Sequence, residues 1–105
     1  MQGYQLTFFT QQSREHGNTL LAEWLVEKAK QLGIRGATLF TGTEGFGHDG
    51  RFHSSSYFDL DDQPLQVVMA VSADEAERLF MQIKKEGVRV FYTKTPVEFG
   101  TTGEE

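Results

Sequence analysis

A chain of 105 residues that is 38% hydrophobic and 24% charged has room for one globular domain and too much apolar content to be disordered. Ten basic against fifteen acidic residues leave a net charge of −5, with the cations scattered and only Lys84 and Lys85 adjacent, which argues against a nucleic-acid-binding face. Without cysteine there are no disulfides or thiolate sites; no apolar run nears the roughly 18 residues of a membrane span, and MQGYQLTFF has no secretory pattern, so a cytoplasmic location is expected.

Residues 4–10, YQLTFFT, alternate with Tyr4, Leu6 and Phe8 on one face and predict a strand. SREHGN reads as a loop that ends in Asn18, the expected N-cap of a helix. Leu21, Trp24, Leu25, Lys28 and Leu32 form that helix's stripe, and Gly33 stops it. GATLFTG, residues 36–42, predicts a second strand. A glycine-rich stretch follows, then SSSYFDL as a short strand or returning hairpin arm. LQVVMAV, residues 65–71, is the most apolar run and predicts a central strand. Ser72 and Glu75 have capping-box spacing ahead of a helix with Ala76, Leu79, Phe80 and Ile83 on its inner face, stopped by Gly87. VRVFYTKTPV predicts the last strand, ended by Pro96. Residues 1–97 form the expected domain, and 98–105 a loose polar tail.

This order is βαββαβ, which predicts an α+β, ferredoxin-like sandwich with an antiparallel sheet and both helices on one face. Phe9, Phe40, Val68, Ala70 and Phe91 then fall on the other face, from four different strands. Two helices cannot cover both sides of one sheet. An apolar face left open in this way predicts self-association.

The stretch 41–56, TGTEGFGHDGRFHSSS, holds four glycines, two histidines and an arginine. Its Gly42, Gly45 and Gly47 lack Rossmann spacing and precede a strand instead of a helix, and no P-loop lysine is present. Other readings stay open. The glycines can bare backbone N–H groups to an anion. Glu44, His48 and His53 are a candidate divalent-metal set, and Glu44 with His53 a weaker acid–base pair for an enzyme of unknown reaction. A hairpin loop with no ligand is the plainest.

HGNTLLAEWLVEKAKQLGIRGATLFTGTEGFG followed by RFHSSS resembles the PII-like proteins of the domain-of-unknown-function 190 family. The matching positions are His16, Gly17 and Leu20, then Ala29, Gly33, Gly36, Ala37 and Thr38, then Gly42 to Gly47, and His53. The resemblance implies a homotrimer with its sheets facing inward. It also implies signal transduction by a small ligand, an adenine nucleotide, held in clefts between subunits. Residues 43–55 take the position of the long target-contacting T-loop. The implied ligand-binding residues are Gly42, Thr43, Glu44, Gly45, Phe46, Gly47, Arg51 and His53, with Lys94 supplied by a neighbouring subunit. No catalytic residue or cofactor is implied, and the implied target is a membrane transporter or channel. PII proteins hold the outer phosphates with a glycine-and-lysine loop before the last strand, where this chain has KKEGVRV. So few cations favour AMP, ADP or cyclic AMP over ATP. The competing architecture is a trimer similar to the CutA divalent-cation proteins.

Overall fold

The computed structural model describes residues 1–42, 44–46, 52–54 and 63–104, with 44–46 and 52–54 as backbone. In chain order the elements are β1 (Gln2–Gln11), β2 (Glu15–His16), β3 (Thr19–Leu20), α1 (Leu21–Gln31), β4 (Thr38–Thr41), β5 (Glu44–Phe46), β6 (Phe52–Ser54), β7 (Pro64–Ser72), α2 (Ala73–Lys85) and β8 (Phe91–Glu98). Strands β4, β7, β1 and β8 lie side by side in that order, every neighbouring pair antiparallel. With the two helices this is the expected α+β, ferredoxin-type fold.

The core follows from strand alternation. On β7, Leu65, Val67, Met69 and Val71 are buried, while Gln66, Val68 and Ala70 take the other face. Register aligns Leu6 with Met69 and Phe8 with Val67, so β1 adds two fully buried side chains to the same layer. Leu21, Leu25 and Ala29 of α1 and Ala76, Leu79 and Ile83 of α2 complete one continuous cluster. Burying each of the leucine, isoleucine, valine, methionine and phenylalanine side chains contributes about 1.5–3 kcal/mol, and the alanines less. On α1 the inward face includes Ala22 and Ala29, and Lys28 instead lies over the Trp24 ring at 5.7 Å.

Helix ends follow the expected signals at three of four places. Ser72 Oγ accepts from Glu75 N–H, and the Glu75 carboxylate accepts from Ser72 N–H, completing the capping box. Gly33 (φ +80°) and Gly87 (φ +69°) both close Schellman motifs: Ile34 N–H bonds Ala29 C=O, and Val88 N–H bonds Ile83 C=O. The start of α1 differs. Its N-cap is Leu20, with no side-chain cap, because Gly17 and Asn18 are the turn of the short β2–β3 hairpin. Gly17, at φ +64°, supplies the left-handed conformation that a two-residue hairpin turn requires.

Two further expectations are corrected. β8 starts at Phe91 and runs through Pro96 to Glu98; as an edge strand it can place a proline where no ladder donor is needed. The C-terminal segment is tied down: Met1 and Phe99 exchange backbone hydrogen bonds, and the Arg35 guanidinium lies 3.3 Å from Glu104. Among the described residues no helix is long and apolar enough to cross a membrane.

Candidate functional site

Among the described residues, no helix lies on the far face of the sheet. Phe40 and Phe91 are 52% and 56% exposed, Ala70 is exposed, and Val68 and Phe9 are half-buried. The rings of Phe9 and Phe91 meet edge to face, 5.5 Å between centroids. The apolar second face read from the sequence is therefore present, and no described element of the single chain covers it.

On the helix side, register aligns Tyr92 with Phe8 and Lys94 with Leu6. Tyr92 packs on Phe80 of α2 at 4.7 Å, and the Lys94 ammonium sits 4.2 Å from the Tyr4 ring centre, a cation–π contact. The flank between α2 and β8 thereby holds two adjoining grooves that share Phe80 and Lys84. One, of about 740 Å³, is lined by Arg14, Lys84, Arg89, Phe80, Phe91 and Tyr92 among others. The second, of about 490 Å³, adds Tyr4, Glu77, Met81 and Lys94.

Local structure explains how the cations meet. Lys84 lies in the last turn of α2, where a cation complements the helix dipole. Gly87 then reverses the chain and sends Arg89 along the groove before β8 begins. Arg14 follows β1; its N–H bonds Gln11 C=O, its own carbonyl accepts from Leu21 N–H at 2.8 Å, and its guanidinium donates to the Arg89 carbonyl. Three cations that look scattered in sequence thus line one groove, with Lys94 in its neighbour. Of the three only Arg14 lies outside KKEGVRV, so the groove adds one cation to those of that stretch. Sequence reading missed Arg14, Lys84 and Arg89 as a set. The Gly87 stop marked the bend, but nothing local links position 14 to position 89.

The residues singled out from the sequence divide as follows. Gly42 directly follows β4, and its N–H donates to Pro64 C=O at 2.7 Å. Backbone pairing joins Glu44 to Ser54, Gly45 to His53 and Phe46 to Phe52, a hairpin inside the glycine-rich stretch. Thr43, Gly47, His48 and Arg51 lie outside the described residues, as does all of 55–60 within SSSYFDL. Lys94 is on β8, at the opposite edge of the sheet from β4. Three strand spacings, about 14 Å, separate those edges, so one chain does not bring Gly42 and Lys94 together. Among the described residues no three His, Asp or Glu side chains gather as a metal site. Of the histidines, His16 pairs with Glu86 at 3.1 Å.

Residues 3–99 match the model of the DUF190 family, described as "Uncharacterized ACR, COG1993". Among solved structures, the fold is shared with CPII, a nitrogen regulatory PII-like protein from Thiomonas intermedia, bound there to ADP, AMP and bicarbonate. The TM-score is 0.70 and the identity 17%, over 96% of this chain and 91% of that one. CPII bound to ADP and bicarbonate gives 0.69 at 14% identity, with the same coverage of both chains. A putative PII-like signaling protein from Thermus thermophilus gives 0.68 at 22% identity, over 92% of this chain and 88% of that one. At such identities the likeness is one of fold. The family match spans nearly the whole length, and the chain belongs to the DUF190 family, built on a PII-like ferredoxin-type fold.

Proposed function

We propose that this protein is a PII-like regulator that binds an adenine nucleotide in clefts between the subunits of a homotrimer. The observation that carries the reading is the cationic and aromatic groove between α2 and β8, on a chain whose other sheet face is apolar and open. Closing three such sheets around an axis, open faces inward, sets the β4 edge of one subunit against the β8 edge of the next. Each groove then becomes one wall of a cleft, with Lys94 on its β8 side and a neighbour's β4 across from it. Arg14, Lys84 and Arg89 supply charge for phosphates, and Phe80 and Tyr92 supply surfaces against which a base can stack. Cations and aromatic rings suit anion binding better than bond breaking, and we read the protein as a sensor instead of an enzyme. The ADP- and AMP-bound CPII structures, of the same fold, support the nucleotide class.

On this reading residues 43–55 are the ligand-responsive, target-facing loop. Thr43, Glu44, Gly45, Phe46 and Gly47 contribute contacts at its root, Arg51 a phosphate contact, and His53 an anchor for the returning strand. The target we propose is a membrane transporter or channel reached from the cytoplasm, on the strength of the family resemblance.

Isothermal titration of protein of verified oligomeric state with AMP, ADP, ATP and cyclic AMP tests the reading. The expected result is saturable binding near one site per chain, with AMP or ADP preferred. Arg89→Ala should weaken ADP about tenfold or more, the effect of one lost charge-assisted contact, and leave adenosine nearly unchanged. Binding by none of the four removes the adenine site from the proposal.

A further inference from the structure

His16 and its hairpin are part of the family pattern, yet they line neither groove. Their contacts lead there all the same. The His16 Nε2–H donates to Glu86 Oε1 at 3.1 Å, across 70 positions of sequence. The same ring stands edge-on to Trp24, with centroids 5.0 Å apart at 67°. Glu86 is the C-cap of α2, and the loop that presents Arg89 begins at the next residue. On the other side of the hairpin, Arg14 precedes Glu15 and donates to the carbonyl of Arg89 itself. Hairpin β2–β3 thus grips the 86–89 segment at both ends: His16 on its first residue, Arg14 on its last.

We propose that His16 is a positioning residue for the cationic groove. By holding the hairpin against the end of α2 and against Trp24, it keeps Arg14 on the Arg89 carbonyl and so sets the loop that carries Arg89. The pair is too exposed, 28% for His16 and 41% for Glu86, to matter much for global stability. Its effect is local. The Schellman motif fixes Gly87 and Val88 from the helix side, and β8 begins only at Phe91, so Arg89 and Val90 are the residues that the hairpin steadies. Cation placement then depends on a contact that never touches ligand. The link to affinity rests on the nucleotide reading above; the link to loop order does not.

Two measurements keep these apart. The first is the backbone amide order parameter, from NMR relaxation, in ligand-free wild type, His16→Ala, His16→Gln and Glu86→Ala. The alanine variants should lower it at Arg89 and Val90 and leave β1 and β7 unchanged. His16→Gln should recover part of the order, because its amide can still donate to Glu86. The second is titration of the same proteins with ADP and AMP, where His16→Ala should weaken binding about three- to tenfold and His16→Gln less. Unchanged order parameters at 89–90 in His16→Ala overturn the proposal, whatever the nucleotide does. Equal affinity in His16→Ala and a binding wild type overturns the tie to the groove. A wild type that binds neither of these, nor ATP or cyclic AMP, overturns the nucleotide reading instead, and the order parameters then decide the hairpin's role alone.

Discussion

Two glycines of this chain are required for different physical reasons. At Gly3 a Cβ atom would lie 2.0 Å from the Val71 carbonyl oxygen and 2.7 Å from the Phe99 ring, which takes the space of a side chain there. The backbone carbonyl cannot yield without shifting β7. Gly3→Ala should therefore lower unfolding stability by about 1–3 kcal/mol, read by urea denaturation. Gly87 has nothing within 4 Å of its would-be Cβ, but its φ of +69° is left-handed. Gly87→Ala should cost about 1–2 kcal/mol through backbone strain alone, in the same assay. Only the second requirement shows in the sequence, as a glycine after a helical stripe. The first depends on Val71 and Phe99, both far from Gly3 along the chain.

At the scale of elements, the two helices start in different ways. The α2 capping box is local chemistry, residues 72–75, and could be read directly. Ser72→Ala should destabilise the protein by about 1 kcal/mol. Asn18→Ala should change stability by no more than about 0.5 kcal/mol, because Asn18 occupies a hairpin turn and caps nothing. Thermal or chemical denaturation of both variants checks the contrast. The Asn18 expectation failed because the local sequence carries two competing signals, a cap and a turn. The short β2–β3 pairing decided for the turn. Pro96 is similar: it looks like a strand terminator until the strand is known to be an edge.

For the whole molecule, the open face sets the behaviour. Phe40 and Ala70 lie on it, from two strands, and neither belongs to the helix-side core or lines either groove. Phe40→Glu with Ala70→Glu should shift the protein toward monomer, raising the dissociation constant at least about tenfold. Losing one buried phenylalanine from an interface already accounts for that much. Sedimentation velocity reads the outcome. Unchanged circular dichroism would show that the fold survives. A wild type that is monomeric at all concentrations would remove the basis for clefts between subunits.

The sequence by itself determined the βαββαβ order, the two-faced sheet, three of the four helix ends and the family pattern. These rest on periodicity and on capping and turn signals that act within a few residues. The glycine-rich stretch and its candidate ligand residues were legible as a composition, Gly42 and the 44–46 backbone being placed and Arg51 lying outside the described residues. Only tertiary structure decided that Arg14, Lys84 and Arg89 share one groove, that His16 reaches Glu86, and that Lys94 and Gly42 stand on opposite edges. Each of those facts is set by strand order and helix docking, which join residues dozens of positions apart through a common core, and local pattern carries no record of such distances.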